Sequence, residues 1–347
     1  MNMKRPILLF VFILQWITMQ NAYAQAAMDG KQEWAALGDF LLENGQHIVD
    51  CKIGYRTFGK LNSTRSNAVI YPTSGGITTY MMHLFGIGAE VDTTRFYLIL
   101  IDALGNGISS SPSNSIRQPK TLFPEFNMRD MVNTQYKMLV EKMNIHHLTA
   151  IIGGSMGGLQ ALQWAVSYPD FMDKVVSIEG TPKISTYDLL WMQTYIEAVK
   201  TDTAYHSGNY KMNPVSPLSV QLTQLLLTSP AMLNNSVPVD SFSTWLASLK
   251  KTNSFTVDCN NFLWQTKAVM KQDITTKAGG SLENVAQIIK AKMLIIANKQ
   301  DHTINQTISI KFAGITKAEL IVMDNDLGHL IFNQKVVIDA TRKFLSE

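Results

Sequence analysis

Six short runs of apolar, largely β-branched residues constrain the fold of this 347-residue chain more than any other feature. They are NAVIYPT at 67–73, FYLILIDAL at 96–104, LTAIIGG at 148–154, KVVSIEG at 174–180, AKMLIIAN at 291–298 and AELIVMD at 318–324. Continuous apolar runs of this length are typical of strands that are buried on both faces. Because the segments between them are long enough for helices, the pattern predicts an α/β fold with a mostly parallel sheet flanked by helices.

Two regions depart from this rhythm. Residues 38–61 contain stretches that alternate between polar and apolar side chains, which predicts an antiparallel hairpin ahead of the parallel strands. From 183 to 290, helical patterns such as YDLLWMQTYIEAVK and LSVQLTQLLLTS are separated by Asn, Pro and Gly clusters, without a strand-like run. We therefore predict a sheet domain in two parts, 25–182 and 291–347, with a helical cap inserted between them at 183–290.

The first residues have the pattern of an export signal. A positively charged start, MNMKR, precedes the apolar stretch PILLFVFILQWITM, and Ala22-Tyr23-Ala24 has the small-residue pattern of a cleavage site. The apolar stretch is shorter than the ~20 residues of a membrane-spanning helix. We predict a signal peptide at residues 1–24, an exported (periplasmic or secreted) protein, and no stable membrane anchor once the signal is removed.

Charge and cysteine content narrow the range of partners. The formal charge of +3 falls to +1 when the two positive charges of Lys4 and Arg5 are removed, and the chain has no basic run, which argues against nucleic acid as a partner. Cys51 and Cys259 have no second cysteine at metal-binding spacing, so they form either one disulfide or two free thiols. No cofactor or metal is required by any motif, and a homodimer is left open.

One motif indicates the chemistry. The sequence Gly153-Gly154-Ser155-Met156-Gly157 follows the third apolar run and precedes a helical pattern, so Ser155 lies at a predicted strand-to-helix junction. Gly-x-Ser-x-Gly in this context is the nucleophile elbow, in which a strained turn lifts the serine hydroxyl clear of the sheet. The alternative is a glycine-rich turn in which the serine only caps the helix.

A catalytic serine needs a histidine as general base and an acid to orient it, in the chain order serine, acid, histidine. Asp301 follows the fifth apolar run, and His329 lies in the loop after the sixth. Because successive parallel strands bring their carboxyl ends to one edge of the sheet, both residues are predicted to converge on Ser155. The sequence leaves open that Asp301 only caps a helix, with Asp324 or Asp326 as the acid instead.

An acyl-transfer site also needs hydrogen-bond donors for the oxyanion. In the predicted arrangement the serine attacks the acyl carbon, the histidine takes and returns its proton, and the aspartate fixes the histidine tautomer. The backbone N–H of Met156, directly after the nucleophile, is the first expected donor to the oxyanion. The second is expected in the loop PTSGG at 72–76, from Ser74 or Gly75.

The chain resembles the homoserine O-acetyltransferase family of the α/β-hydrolase fold over residues 55–332. The resemblance rests on YRTFGKLNSTRSNAVIYPT, FNMRDMVNTQYKML, the elbow segment GGSMGGLQALQWAVSYPD and DCNNFLWQTKAVMKQD. It implies a Ser-His-Asp triad that works through an acyl-enzyme, with Ser155, His329 and Asp301 at the matching positions.

The chain departs from this family where the family recognises homoserine. Members that act on homoserine typically follow the catalytic histidine with an Asp that meets the amino group, whereas Leu330 follows His329 here. They also bring an Arg from the cap to the carboxylate, but this chain has no Arg between Arg129 and Arg342, and Lys183 is not an equivalent replacement. Acetyl-CoA is a cytoplasmic metabolite, so an exported member would lack that acyl donor.

These patterns are interpreted as a divergent, exported serine-nucleophile enzyme that acts on a small acyl compound, most simply an ester that it hydrolyses. Two alternatives stay open, an acyltransferase resembling the homoserine O-acetyltransferases and a binding protein that has lost catalysis. The presence of all three triad residues favours an enzyme over a binding protein.

Overall fold

An eight-stranded sheet organises the part of the chain that the computed structural model describes, residues 30–82, 87–214, 216–251 and 257–347. The strands are β1 (Glu33–Leu41), β2 (His47–Phe58), β3 (Ala68–Pro72), β4 (Tyr97–Ile101), β5 (Leu148–Gly154), β6 (Met172–Ile178), β7 (Lys292–Asn298) and β8 (Glu319–Met323). The signal peptide predicted at 1–24 lies outside the described residues.

The strand order is β1-β2-β4-β3-β5-β6-β7-β8. The β1–β2 and β2–β4 pairs are antiparallel, and the other neighbours pair in parallel. The prediction of a mostly parallel sheet entered by an antiparallel hairpin is therefore confirmed. Both β5 and β7 end at the same edge of this sheet, which is where the predicted site residues follow.

Both faces of the central strands are covered, which explains why their sequences are apolar without alternation. In β4, Ile99 packs in the apolar cluster on one face, and its neighbour Leu100 packs in the cluster on the other. The edge strand β8 differs, because its Leu320 and Val322 are each 39% exposed. The sixth apolar run is thus a strand, but it is not buried on both faces as expected.

Helices cover the sheet and fill the long segment between β6 and β7. The helices are α1 (Thr79–Met82), α2 (Met128–Lys137), α3 (Met156–Ser167), α4 (Thr186–Lys200), α5 (Pro217–Leu227), α6 (Pro230–Ser236), α7 (Phe242–Lys251), α8 (Cys259–Met270), α9 (Leu282–Ile288), α10 (Thr307–Thr316) and α11 (Lys335–Ser346). The start of α2 shows why a helix begins at this point, since Asn127 and Asp130 form a reciprocal capping box there. Among the described helices, none is long and apolar enough to cross a bilayer.

The segment predicted as an insertion is helical in its described residues, α4 to α9, with an isolated β-bridge between Lys183 and Asp273. The two helical patterns quoted from the sequence correspond to α4 and α5. Helix α8 packs deeply, because Leu263 and Trp264 are buried in the main apolar cluster and Trp264 Nε1 donates to the carbonyl of Phe123 at 3.0 Å. The inner end of the segment is therefore continuous with the core of the sheet domain.

The two cysteines are free thiols. Cys51 lies in β2 and is buried in the core, and Cys259 is the first residue of α8. Burial raises the pKa of each thiol to about 12. Of the two alternatives left by the sequence, one disulfide or two free thiols, the structure has two free thiols. Both are protonated near neutral pH.

Candidate active site

The turn at Ser155 joins β5 to α3. Ser155 has φ 53° and ψ −125°, a backbone conformation that non-glycine residues rarely adopt. Its N–H donates to the carbonyl of Ile178 at 2.8 Å, and its carbonyl accepts from the N–H of Leu159 at 3.0 Å. Hydrogen bonds to β6 and to α3 therefore hold the strained conformation in place.

Two glycines of the motif are required because backbone atoms lie too close to them for a side chain. A Cβ on Gly153 would lie 2.0 Å from the carbonyl oxygen of Gly157, and a Cβ on Gly157 would lie 2.6 Å from that of Pro72. Both distances are far below any real contact, so no larger residue fits at either position. The alternative of a merely capping serine lacks support, because the side chain of Ser155 makes no capping hydrogen bond to α3.

The predicted serine, histidine and acid meet at the carboxyl edge of the sheet. His329 Nε2 lies 2.8 Å from Ser155 Oγ, and His329 Nδ1 lies 2.8 Å from Asp301 Oδ2. His329 and Asp301 are both buried. The structure thus brings together the three side chains that the sequence placed on separate loops, in one continuous hydrogen-bonded chain.

Asp301 is held in place independently of the histidine. Its Oδ1 accepts from the backbone N–H groups of Thr303 at 2.7 Å and Ile304 at 3.0 Å, and its Oδ2 accepts from Gln306 Nε2 at 3.2 Å. The carboxylate therefore closes a turn and also contacts His329, but it does not cap the next helix, because α10 begins only at Thr307 with Gln306 as its N-cap. Burial raises the pKa of Asp301, but attraction to His329 and the hydrogen bonds outweigh burial and lower that pKa below its usual value.

The two alternative acids lie away from the histidine. Asp324 accepts from Gln300 Nε2 at 2.8 Å and lies 3.9 Å from Lys299 Nζ. Asp326 is exposed, and its backbone carbonyl accepts from the N–H of Ser229 at 3.1 Å. Neither carboxylate has a described contact with the histidine ring, whereas Asp301 contacts His329 Nδ1.

The loop that carries His329 is fixed from two sides. The N–H of His329 donates to the carbonyl of Leu227 at the end of α5, at 2.9 Å. Asn298, the last residue of β7, donates from Nδ2 to the carbonyls of Gly328 at 2.7 Å and Asn325 at 2.8 Å. Asn298 was not predicted from the sequence, although a polar residue that ends a buried apolar run was a visible signal for it.

The loop after β3 lies beside the elbow. A Cβ built on Gly75 would be 4.0 Å from both Cβ and Sδ of Met156. Within the described residues, the N–H groups of Gly75 and Met156 donate to no protein acceptor, which leaves both free for a ligand oxygen. Ser74 Oγ donates to the carbonyl of Gly154 at 2.7 Å, so this side chain ties the loop to the elbow. The loop after β3 therefore lies against Met156, the residue after the nucleophile, and the oxyanion role of Met156, Ser74 and Gly75 stays a prediction.

Gln265 of α8 holds this loop and was missed by the sequence analysis. Its Oε1 accepts from the N–H of Gly76 at 2.9 Å, and its Nε2 donates to the carbonyl of Leu104 at 3.2 Å. The side chain is buried and connects the loops that follow β3 and β4. Its signal in the sequence, one glutamine among the apolar positions of NNFLWQTKAVM, does not identify a partner.

A second buried carboxyl, Glu179, lies behind the histidine and was also missed. It directly follows β6, is fully buried and has φ 52°. Its Oε1 accepts from the N–H of Asn298 at 2.6 Å, and its Oε2 lies 3.8 Å from His329 Nδ1. One oxygen of Glu179, one of Asp301 and a ring nitrogen of His329 lie within 4.8 Å of one another. This spacing would suit a metal ion, but both ring nitrogens already contact Ser155 and Asp301, and the expectation that no metal is needed stays a prediction.

Comparison with known proteins agrees with the fold and the geometry. A model of the alpha/beta hydrolase fold family matches residues 75–336. The chain belongs to the alpha/beta hydrolase family. The predicted α/β-hydrolase fold, with its mostly parallel sheet and flanking helices, is thereby confirmed.

Relatives of this alpha/beta hydrolase include both hydrolases and acetyltransferases. An ethyl acetate hydrolase from Pseudomonas veronii is 30% identical over 304 residues, which cover 83% of this chain and 86% of the relative. A homoserine O-acetyltransferase from Methanococcoides burtonii is 30% identical over 305 residues, 76% of this chain and 61% of the relative. The structure of an acetylester hydrolase from Corynebacterium glutamicum is similar with a TM-score of 0.82 and 27% identity, over 91% of this chain and 95% of that one. The protein is an enzyme of this hydrolase and acyltransferase class, and its resemblance to the homoserine O-acetyltransferases is confirmed.

Proposed function

We propose that this alpha/beta hydrolase is a serine esterase that cleaves small esters, acetyl esters foremost, through an acyl-enzyme at Ser155. The observation that carries the proposal is the hydrogen-bonded chain from Ser155 Oγ through His329 to Asp301, with 2.8 Å at each link. The ethyl acetate hydrolase and acetylester hydrolase relatives support the choice of acyl group.

In the proposed acylation step, each group has one role. His329 Nε2 accepts the Oγ proton while Ser155 attacks the ester carbonyl, and ionised Asp301 stabilises the imidazolium that forms. The N–H groups of Met156 and Gly75 bind the oxyanion at the positive end of the α3 dipole. The histidine then donates its proton to the departing alcohol, which leaves the acyl group on the serine.

Deacylation repeats these steps with water in place of the serine. The same ring nitrogen of His329 takes a proton from a water molecule, whose oxygen attacks the acyl carbon. The carboxylic acid leaves as Ser155 regains its proton from the imidazolium. Any small alcohol that enters in place of water would turn the same chemistry into acyl transfer, which is why acceptor recognition decides between the two activities.

Two features of the chain favour water over homoserine as the acyl acceptor. Leu330 follows His329, at the position where the resemblance implies an Asp for the amino group. Lys183, a cation close to the predicted start of the insertion, pairs with Asp273 at 2.7 Å. The two counter-charges that a zwitterionic acceptor requires are therefore replaced by an apolar side chain and an already paired lysine.

We also propose that the protein is exported, on the basis of the signal pattern at residues 1–24. Export would separate the enzyme from cytoplasmic acetyl-CoA and so favours hydrolysis. Cell fractionation with N-terminal sequencing of the product tests this part, and a mature chain that begins near Gln25 outside the cytoplasm is the expected result. A cytoplasmic chain that keeps its first 24 residues would contradict export and restore access to acetyl-CoA.

The test of the activity measures acid release from ethyl acetate and p-nitrophenyl acetate, and CoA release from acetyl-CoA, each with and without homoserine. We expect ester cleavage that does not depend on homoserine and that falls about 10⁴-fold or more in Ser155→Ala, with an unchanged unfolding temperature. O-acetylhomoserine formed from acetyl-CoA would instead establish the acyltransferase. Absence of any turnover that depends on Ser155 would favour the binding protein.

A further inference from the structure

We propose that Glu179 carries the proton of a carboxyl pair that it forms with Asp301, and that this pair, with a single negative charge, positions His329. The inference rests on the proposed esterase mechanism and names a positioning residue for it. It starts from the one oxygen of Glu179 that the rest of the fold leaves without a donor.

The backbone and one oxygen of Glu179 are firmly held. Its N–H donates to the carbonyl of Ile296 at 2.9 Å, and its Oε1 accepts from the N–H of Asn298 at 2.6 Å. Because both partners belong to β7, these bonds fix the carboxyl group against the neighbouring strand. The positive φ at Glu179 is a strained conformation for a glutamate, and these bonds maintain it.

The other oxygen, Oε2, is buried and accepts from no described N–H or O–H donor. Its polar surroundings are His329 Nδ1, at 3.8 Å, and the carboxylate of Asp301 in the same cluster. A buried carboxylate oxygen without a donor is costly, whereas a protonated Oε2–H beside an ionised carboxylate has an acceptor. The geometry therefore favours a proton on Oε2 that is donated toward Asp301.

The charges in this cluster also favour a proton on Glu179, because two carboxyl groups so close and so buried do not both ionise. Burial, followed by the charge of Asp301, raises the pKa of Glu179 well above its usual value. Asp301 also has an attractive partner in His329, and its pKa is lowered in spite of burial. Asp188 and Tyr187 of α4 are the other titratable groups that interact with the Asp301 charge, and burial is the main cause of the raised pKa of each.

A protonated Glu179 has a specific consequence for the mechanism. It donates a hydrogen bond to Asp301 without adding a second negative charge beside His329. It also lowers the basicity of Asp301, because a hydrogen bond to a carboxylate stabilises its ionised form. Without this donor, Asp301 would bind the imidazolium more tightly, and less neutral His329 would be left to act as the base.

The test compares Glu179→Gln with Glu179→Met. Glutamine keeps an acceptor for the Asn298 N–H and an N–H donor for Asp301, whereas methionine has a similar length and neither group. Two readouts are used: the pH profile of kcat/KM for p-nitrophenyl acetate, and the NMR titration midpoint of the His329 ring, assigned with His329→Asn. The NMR readout does not need turnover, so a failure of the esterase proposal and a failure of this inference are distinguishable.

We expect Glu179→Gln to retain kcat/KM within about threefold and to leave the acid limb and the ring titration midpoint in place. Glu179→Met should lower kcat/KM by about 10- to 100-fold, the range for loss of a hydrogen bond to a charged group, and should shift both readouts to higher pH. If Glu179→Gln instead shifts them to lower pH by one unit or more, Glu179 is ionised in the native enzyme and the inference is wrong. It is equally overturned if the methionine variant behaves like the wild type.

Discussion

The loops at the carboxyl edge of the sheet and the helices between β6 and β7 meet at His329, but they are held in different ways. Asp301 accepts three hydrogen bonds besides its contact with the histidine, and it is buried. The outer helices, by contrast, expose large apolar side chains: Leu218 and Leu225 of α5 are 59% and 63% exposed, and Phe242 of α7 is 50% exposed. Asp301 is thus held firmly at the edge of the sheet, while the outer helices beside it leave large apolar side chains exposed.

Under the proposed function, this difference separates the chemistry from the choice of acyl acceptor. The chemistry would depend on loops whose geometry follows from the sheet, and the choice of acceptor would depend on side chains that the helices and the loop after His329 contribute. Helix α8 is an exception, because Gln265 connects the helical segment directly to the loop with the proposed oxyanion donor. We therefore expect large effects at the sheet edge, a moderate effect at α8, and little effect at exposed positions of the other helices.

After Ser155→Ala, the largest effect is expected for Asp301→Asn. An asparagine presents an N–H to His329 Nδ1 and favours the wrong tautomer, so kcat for p-nitrophenyl acetate should fall by about 10³- to 10⁴-fold. The matched control is Asp324→Asn, which changes an exposed acid near the same loop and should leave kcat within about twofold. Equal losses in the two variants would mean that the loop, not the histidine contact, is the sensitive element.

Much of the site at the sheet edge was predictable, because each of its parts is marked by a short stretch of sequence. The apolar runs gave the strands, the glycines around Ser155 gave the elbow, and the order of Asp301 and His329 along the chain gave the cluster. The exposure of β8 was not predictable in the same way, because an apolar run does not reveal that its strand lies at the edge of the sheet.

The supporting polar residues could not be predicted because their partners lie far away in the sequence. Gln265 bonds to Gly76 across 189 positions, and Glu179 bonds to Asn298 across 119. A buried polar residue shows in sequence only as an interruption of an apolar pattern, and its meaning depends on which backbone group the fold brings beside it. Acid, base and nucleophile follow a known order, whereas the residues that hold them do not.

A second prediction concerns the stability of the sheet domain and its dependence on pH. Burial raises the pKa of Glu90 from the usual 4.5 to about 7 in the folded protein, against a hydrogen bond from the N–H of Gly88. A raised carboxyl pKa stabilises the fold fully below about pH 4.5, and this contribution is lost as the pH rises through 7. The shift corresponds to about 3 kcal/mol of unfolding free energy between pH 4 and pH 8.

Glu90→Gln should remove this part of the pH dependence. Urea unfolding at pH 5 and pH 8 is the measurement, and the variant should exceed the wild type in stability at pH 8 by about 2 to 3 kcal/mol, with a much smaller difference at pH 5. Glu283→Gln in the exposed first turn of α9 is the matched control and should change neither value by more than about 0.5 kcal/mol. A Glu90→Gln variant that is less stable than the wild type at pH 8 would show that the ionised form has a native partner.

The smallest effect is expected at α8, the helix that contacts the loop after β3. Gln265→Ala leaves the N–H of Gly76 and the carbonyl of Leu104 without their partner, so the loop with the Gly75 donor should lose its fixed position. We expect kcat to fall by about 10- to 50-fold with little change in KM, because the oxyanion is bound chiefly in the transition state. Gln193→Ala on the exposed face of α4 removes a glutamine of the same segment and should have no effect on kcat.

Which kinetic constant changes in Gln265→Ala, kcat or KM, decides what α8 contributes. A lower kcat at constant KM would place one helix of the segment within the catalytic framework and confine acceptor choice to its outer helices. A higher KM at constant kcat would instead mean that Gln265 shapes the binding of the ester before reaction, and the division between a sheet that reacts and helices that select would then hold without exception. Thermal unfolding of both variants separates either outcome from a general loss of structure, since α8 packs in the main apolar cluster.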